Sequence, residues 1–418
     1  MIPRLGPYLG MAELVRVLLP VLDGDRVGAF ETAFGRTLEA GHAIAFPYGR
    51  SALWAFFKAV GIEHAEIIQP AYSCSVVAHA TVLAGNTPRF VDISLADYNM
   101  NLSQVEAAMS PRTRAVVATH LFGYPLDVDR LSDVVAAAER RYGGKIWVVQ
   151  DCAHAFGAQW RGEPVFRRAD VALFGLNVSK MMTSIFGGML STTDAALAAR
   201  VRAWRDQHFR RPRVSKSLRR RVYLLGAMAA FDRRTCGVVD WCERRTSWLD
   251  SVTRAYHRDG QIRFPPDYLD EMLPIEATVG LEQLRKYSDI VCRRKAHASA
   301  YDRDLAHKPG VERPPLIDGA TYSHYVVRVR DRERVTAAMR RRGVLVGRVI
   351  DYCVPELAEY RESASGGTFP NAHLSSEQVI NLPVHARLSM RGRTHVIEAL
   401  LDAVADVDAG ARRRGPRA

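Results

Sequence analysis

Short apolar runs alternate with longer amphipathic segments from about residue 40 onwards, and this alternation limits the possible folds more than any other feature of the chain. Runs typical of buried strands, bounded by turn residues, lie at 65–72, 87–93, 113–123, 145–153 and 169–175. Helix-like segments lie between several of these runs, at 51–61, 75–85, 102–110 and 129–144. Strands that alternate with helices predict an α/β fold with a mainly parallel sheet covered on both faces. Ligands of such sheets bind beyond the carboxyl ends of the strands.

Length and composition are those of an ordinary globular protein. The 418 residues predict two domains that share a cleft, and 48% hydrophobic with 25% charged residues argue against disorder. The six cysteines are scattered without the short paired spacings of a zinc site, so we expect reduced thiols and no metal. The N-terminal segment lacks the uninterrupted apolar core of a signal peptide, and no run reaches membrane-spanning length. The sequence therefore predicts a cytoplasmic protein.

The formal net charge of +13 favours an anionic partner or simply reflects abundant arginine. No helix-turn-helix, zinc-finger or aromatic-interleaved basic pattern occurs in the sequence, so we do not expect nucleic-acid binding. A basic cluster followed by a short apolar run interrupts the strand–helix rhythm at 203–263. Its part from 210 to 231 is too short to span a bilayer but could lie on an anionic membrane surface. Packing against a partner subunit is the alternative.

Lys180 and Asp151 are the strongest candidates for chemistry. Asp151 ends an apolar, strand-like run, whereas Lys180 follows another such run and precedes the glycine pair Gly187 and Gly188. In enzymes that use pyridoxal 5′-phosphate (PLP), a lysine amine carries the cofactor as a Schiff base, and a buried carboxylate keeps the pyridine nitrogen protonated. The pair has the form that such a site on an α/β scaffold requires. The alternative for Lys180, taken alone, is a solvated surface lysine.

Seven stretches of sequence, taken in order, resemble the DegT/DnrJ/EryC1/StrS family of sugar aminotransferases. They are FPYGRSALWAFF, IIQPAYSCSVVAHATVLAGNTPRFVDI, ATHLFGYPLDVDRL, VVQDCAHAFGA, FGLNVSKMMTSIFGGML, IEATVGLEQL and FPNAHLSSEQVINLPVHARLS. Agreement of several local patterns in order and spacing is more specific than any one of them. The resemblance covers nearly the whole chain except 203–263 and the C-terminal tail.

The resemblance implies an α/β fold of the fold-type I PLP-transferase class. A large PLP-binding domain at 1–290 would contain a mainly parallel seven-stranded sheet flanked by helices, and a smaller C-terminal α+β domain would follow at 291–410. Residues 411–418 form a basic segment containing Pro and Gly, which we expect to be disordered. The resemblance also implies a homodimer whose active sites are shared across a two-fold interface.

Carried over residue by residue, the resemblance makes Lys180 the Schiff-base lysine and Asp151 the partner of the pyridinium nitrogen. The predicted cofactor-binding residues are Gly49, Arg50, Ser51, Tyr72, Cys74, His120, Asp151, His154, Asn177, Ser179 and Lys180. Gly49, Arg50 and Ser51 would open a helix under the phosphate, where backbone N–H groups and the helix dipole bind anions. Tyr72 or Cys74 would lie over the ring. Structural roles are the alternatives for His120 and His154, and helix capping is the alternative for Asp151.

Two positions depart from the family pattern at the phosphate end. Most relatives carry a phosphate-binding serine where this chain has Gly175, and an asparagine that reaches the neighbouring subunit's phosphate where this chain has Leu269. A buried dianion with too few donors is costly. We expect Arg50, or Asn177 together with Ser179, to replace the missing donors.

The resemblance implies transfer of an amino group from glutamate or glutamine to a nucleotide-linked keto sugar or to a cyclitol. Substrate contacts would come from the small domain around Tyr325 and Tyr352. Dehydration of a deoxysugar is a second possible PLP reaction, but relatives that dehydrate generally carry histidine in place of Lys180. A non-catalytic regulatory or binding protein is the third possibility, supported only by the missing phosphate donors.

Overall fold

The computed structural model describes residues 1–18, 24–245, 260–364 and 366–414. Its strands, in chain order, are β1 (His42–Phe46), β2 (Glu66–Pro70), β3 (Thr87–Val91), β4 (Thr113–Thr119), β5 (Trp147–Asp151), β6 (Gln159–Trp160), β7 (Glu163–Pro164), β8 (Val171–Gly175), β9 (Gly188–Thr192), β10 (Tyr325–Arg328) and β11 (Val379–Leu382). Seven of them form one sheet in the order β1-β9-β8-β5-β4-β2-β3. The predicted seven-stranded sheet is therefore confirmed.

The sheet is mainly parallel. Strands β3, β2, β4, β5 and β8 pair in parallel, whereas β9 pairs antiparallel with both β8 and β1. All five strands predicted from apolar runs are present. Strands β1 and β9 were not predicted. Because β2, β4, β5 and β8 point the same way, the loops that follow them meet at one edge of the sheet.

Helices cover this sheet and build the rest of the chain. In chain order they are α1 (Met11–Leu18), α2 (Arg26–Thr37), α3 (Gly49–Ala59), α4 (Ser75–Leu83), α5 (Leu102–Ala108), α6 (Val128–Tyr142), α7 (Ala195–His208), α8 (Val214–Ala230), α9 (Cys236–Arg245), α10 (Pro274–Arg285), α11 (Tyr287–Asp304), α12 (Arg332–Arg341), α13 (Pro370–Gln378) and α14 (Met390–Arg414). Side chains of Asn101, Asp127 and Asp194 cap α5, α6 and α7 by accepting first-turn N–H groups. The sequence 276–305, which reads as one helical pattern, forms two helices that meet at Lys286.

A second hydrophobic core lies in the C-terminal part of the chain, around the two-stranded sheet of β10 and β11. Helix α11 contacts both cores, with Ile290 in the core of the large sheet and Ala298 and Tyr301 in the second core. Helix α14 runs to Arg414. Residues 411–414 of the predicted tail therefore lie in its last turn, and the rest of that tail lies outside the described residues.

The segment predicted as an insertion, 203–263, forms the end of α7 followed by α8 and α9, and its residues 246–259 lie outside the described residues. Helix α8 packs through Leu224, which shares a hydrophobic cluster with Val17 of α1 and with Ile275 of α10. The chain then returns beside α3, where Arg210 exchanges backbone hydrogen bonds with Leu269 and Glu271. This segment therefore lies against the helix predicted to bind the cofactor phosphate.

Candidate active site

Lys180 lies in a tight turn that follows β8. Its backbone N–H donates to the carbonyl of Asn177 at 2.9 Å. The side-chain oxygen of Asn177 accepts from the backbone N–H of Ser179 at 2.9 Å and from its hydroxyl at 2.6 Å. These bonds shape the turn that presents the lysine, so in this structure the Ser179 hydroxyl is directed to Asn177.

The amine of Lys180 is close to a carboxylate, a thiol and a guanidinium. Burial lowers the pKa of Lys180 below its usual value, and the charge of Arg50 acts in the same direction. The groups that oppose this shift are Cys74 and Asp151. The structure therefore brings four of the predicted residues together, although they come from four separate parts of the chain.

Asp151 is the last residue of β5 and is almost fully buried. One of its carboxylate oxygens accepts from the backbone N–H of Ala153 at 3.0 Å. Burial raises the pKa of Asp151, while that hydrogen bond and the charge of Lys180 act against the rise. A buried carboxylate in this position is stabilised by a neighbouring cation, and a protonated pyridine nitrogen is such a group.

Three glycines allow the backbone of α3 to approach this pair closely. A Cβ atom at Gly188 would lie 2.4 Å from the backbone nitrogen of Gly49, the first residue of α3. A Cβ atom at Gly175 would lie 3.4 Å from Cε of Lys180. The N-terminus of α3 therefore lies beside Lys180. The first N–H groups of a helix lack intrahelical partners, and together with the helix dipole they bind phosphate.

Tyr48 and Arg50 lie at the start of α3. Arg50 is 8% exposed, and its guanidinium lies 5.8 Å from the centre of the Tyr48 ring. The guanidinium of Arg220, on α8, lies 5.7 Å from the same ring. The Tyr48 hydroxyl donates to Asp267 at 2.8 Å and accepts from Arg220 at 2.8 Å. Ser51 directs its hydroxyl to the carbonyl of Tyr268 at 2.9 Å.

His154 and His324 form a pair of buried imidazoles beside the lysine. Their ring centres are 4.8 Å apart. Burial lowers the pKa of both histidines well below the usual value, and the charge of Lys180 acts in the same direction. Nδ1 of His154 accepts from the backbone N–H of Phe122 at 3.3 Å, so its proton is on Nε2. His154 therefore has a donor for an anionic oxygen.

His324 was not predicted from the sequence. It directly precedes β10, next to Tyr325, which was predicted to contact substrate. Tyr325 is fully buried, and its hydroxyl donates to Asp302 at 2.9 Å, so within the predicted region around Tyr325 it is His324 that the charge of Lys180 reaches. Successive side chains of an extended chain point to opposite sides. A tyrosine at 325 that points into the core therefore implies that the side chain at 324 points to the site, and this alternation is the signal that could have identified His324. Tyr352 accepts from the backbone N–H of Ser75, at the start of α4 and next to Cys74.

Tyr72, predicted as one of two residues that could lie over the cofactor ring, packs inside the protein, and its contact with the cofactor stays a prediction. Its side chain is fully buried in the second core, where it packs against Tyr98 and Phe122. Its hydroxyl donates to the carbonyl of Ile350 at 3.0 Å. Cys74 is the member of this loop that faces the lysine.

His120 is held by hydrogen bonds inside the protein, which fits the structural alternative, and its predicted contact with the cofactor stays a prediction. Its Nδ1 accepts from the backbone N–H of Leu126 at 3.0 Å, so Nε2 carries the proton and donates to the side-chain oxygen of Gln150 at 2.9 Å. Burial lowers the pKa of His120 to about 4. Both ring nitrogens are thus used inside the protein.

A half-buried lysine, a buried carboxylate at a strand end and a helix N-terminus are groups that would fit the aldehyde, the pyridine nitrogen and the phosphate of PLP. On a mainly parallel seven-stranded sheet, they define the fold-type I class of PLP-dependent enzymes. The profile of the DegT/DnrJ/EryC1/StrS aminotransferase family matches residues 15–236 and 253–401. The chain therefore belongs to this family, and the predicted enzyme class, a PLP-dependent aminotransferase, is confirmed. The unmatched interior, 237–252, is narrower than the predicted insertion.

Relatives of known name support the same assignment. The spore coat polysaccharide biosynthesis protein SpsC of Bacillus subtilis is 27% identical over 422 aligned positions, which cover 96% of this chain and 97% of that protein. The crystal structure of the sugar aminotransferase CalS13 from Micromonospora echinospora superposes with a TM-score of 0.77 at 23% identity, over 96% of this chain and all of that one. PseC of Helicobacter pylori superposes with a TM-score of 0.76 at 19% identity, over 97% and 99% of the two chains. These two structures establish the fold.

Proposed function

We propose that the protein transfers an amino group from glutamate or glutamine to a nucleotide-linked keto sugar or a cyclitol. The observation that carries this proposal is the placement of the half-buried Lys180 with the buried Asp151 carboxylate beside the N-terminus of α3. The sugar as acceptor is supported by the relatives, because SpsC is named for polysaccharide biosynthesis and CalS13 is a sugar aminotransferase. When bound, PLP supplies an electron sink for the carbon that loses its proton.

Lys180 is the residue that holds the cofactor and moves the proton. Because its pKa is lowered by burial, a larger fraction of the amine is neutral near pH 7 than for an exposed lysine. A neutral amine can take a proton from a carbon acid and return it to the adjacent position. Asp151 would hold a proton on the pyridine nitrogen, and Nε2 of His154 would donate to an oxygen at the ring edge.

Arg50 replaces the missing phosphate donors in this proposal. It is buried at the first turn of α3, and a guanidinium provides a full charge with paired donors for a phosphate. Its cation–π contact with Tyr48 holds it there, and Tyr48 is itself fixed by Asp267 and Arg220. A helix of the unusual 203–263 segment thus supports the phosphate end of the cofactor.

The affinity for PLP tests this role. Arg50→Ala removes a charged hydrogen-bond donor and should weaken PLP binding about tenfold or more. Tyr48→Leu, which removes the ring, should weaken binding more than Tyr48→Phe, which keeps it. Arg36→Ala, on the basic last turn of α2, is the matched control. Unchanged affinity of Arg50→Ala would eliminate Arg50 as the phosphate ligand.

The reaction itself is tested with the PLP-loaded enzyme and a panel of nucleotide-linked keto sugars and cyclitol ketones. With L-glutamate or L-glutamine as donor, mass spectrometry should detect an amino sugar or aminocyclitol and the corresponding 2-oxo acid. Release of water without amine transfer would replace this proposal with dehydration. We also propose that the enzyme is a homodimer with shared active sites, which light scattering of the full chain measures directly.

A further inference from the structure

Two charged side chains of helix α8, Lys216 and Arg220, point inward. Lys216 is buried and pairs with Asp267 and Asp270 at 3.0 and 3.1 Å. Arg220 pairs with Asp267 at 3.0 Å and with the fully buried Glu276 at 3.0 Å. The inner face of this helix is thus held by ion pairs.

The outer face of α8 is apolar. Its exposed apolar residues recur at helical spacing and are Val214, Leu218, Val222 and Leu225, with exposed fractions of 88%, 64%, 62% and 36%. A surface helix normally buries its apolar side and exposes its charges. This exposed apolar face indicates that α8 has a partner that the described part of the chain does not provide.

Helix α1 likewise exposes apolar side chains while burying a charged one. Its acidic residue, Glu13, is fully buried and pairs with Lys286 at 2.6 Å. The two helices are neighbours, because Arg221 of α8 donates to the carbonyl of Val17 in α1. We define the α1–α8 surface by its exposed apolar residues, which are Met11, Val15, Leu18, Val214, Leu218, Val222 and Leu225.

Positive charge surrounds the apolar residues of α8. The sequence from 207 to 231 contains no acidic residue, and Arg211, Arg213 and Arg219 are exposed there. A second copy placed on this face by two-fold symmetry would bring like charges together, and α8 offers no carboxylate to neutralise them. An anionic lipid bilayer provides negative charge for the arginines and an apolar interior for the exposed apolar residues of α8.

We propose that the α1–α8 surface binds the protein to an anionic lipid bilayer. Within the described residues no helix is both long and apolar enough to cross a bilayer, so α8 would lie in the plane of the interface. Arg220 on its inner face contacts Tyr48, one residue before the phosphate-binding turn, so the bound membrane would lie near the active site. The inference stands on exposure and charge and does not depend on the proposed reaction.

The test uses the full-length, PLP-loaded protein and sedimentation with lipid vesicles. We expect binding to vesicles of phosphatidylcholine with phosphatidylglycerol, weaker binding at higher salt, and little binding to phosphatidylcholine alone. Leu218→Ser combined with Val222→Ser should weaken binding about tenfold or more, and Arg213→Ser combined with Arg219→Ser about tenfold. Leu316→Ser, at a residue 64% exposed in the C-terminal part of the chain, is the matched control.

Light scattering of the same variants separates the membrane from a second copy as the occupant. The proposal predicts that the mass in solution is unchanged by the Leu218→Ser and Val222→Ser pair. Failure of the natural protein to bind anionic vesicles would overturn it. Conversion of a dimer to monomers by that pair, while the control stays dimeric, would overturn it too and assign the surface to subunit contact. If the Leu218→Ser and Val222→Ser variant folds poorly, the Arg213→Ser and Arg219→Ser variant still tests the proposal.

Discussion

Restoring a serine at position 175 should tighten PLP binding, because the family's usual phosphate donor is missing there. Gly175 ends β8 next to the lysine turn, and its backbone lies outside the left-handed region, so an L-residue fits without backbone strain. A Cβ atom there would lie 3.4 Å from Cβ of Ala153 and 3.4 Å from Cε of Lys180. These distances are close to ordinary van der Waals contact, so the added carbon costs little.

The size of the gain follows from the bond that is added. A hydrogen bond to a charged group contributes about 1.5–3 kcal/mol, which corresponds to about 10- to 100-fold in affinity. Crowding against Lys180 takes part of this gain, so we expect PLP affinity to rise about tenfold. Gly175→Ala introduces the same Cβ contacts without the hydroxyl and therefore isolates the hydrogen bond.

The assay is PLP titration followed by absorbance, carried out on the natural protein and both variants. Affinity should rank Gly175→Ser above Gly175→Ala. Equal affinities of the two variants would refute the reasoning, since the hydroxyl would then have no phosphate within reach. The stability of both variants without PLP controls for damage to the turn.

Three further predictions concern other parts of the site and its support. Asp151→Asn should lower turnover about 100-fold or more in steady-state assays, because an amide does not stabilise a protonated pyridine nitrogen; near-normal turnover would contradict its role. Arg220→Gln leaves buried Glu276 with less counter-charge and should lower the free energy of unfolding by about 3 kcal/mol in urea titrations, whereas Arg219→Gln on the exposed side should not. Burial lowers the pKa of His120 from 6.5 to about 4, so the unfolded state takes up a proton first and stability falls as pH drops from about 6.5 to 4. His120→Gln should remove up to about 3 kcal/mol of that pH dependence, and an unchanged profile would contradict the assignment.

Most of the sheet was predictable because its buried strands are continuous apolar runs between turn residues. Strand β1 was missed because its apolar run, HAIAF, is short and differs little in composition from the helix before it. Strand β9 was missed because it begins with a glycine. That glycine, Gly188, is required by the close approach of the backbone at Gly49. Such an approach between distant parts of the chain leaves no periodic signal.

The site was predictable where a residue's chemistry leaves few alternatives. Lys180 and Asp151 follow strands whose ends meet at one edge, so their approach followed from the parallel sheet. The polar atoms of Tyr72 and His120 have partners inside the protein, which the sequence does not reveal. His324 was missed because it reaches the site only through the folding of the C-terminal part against the sheet.

The most direct test of the central assignment, that Lys180 holds PLP with Asp151 as its partner, is the visible absorption spectrum of the PLP-loaded protein before and after L-glutamate. We expect an absorption band from the lysine-bound cofactor, its conversion by L-glutamate to the spectrum of the pyridoxamine form, and loss of the lysine-bound band in Lys180→Ala. A protein that binds PLP without such a band, or a band that persists in Lys180→Ala, would contradict the account.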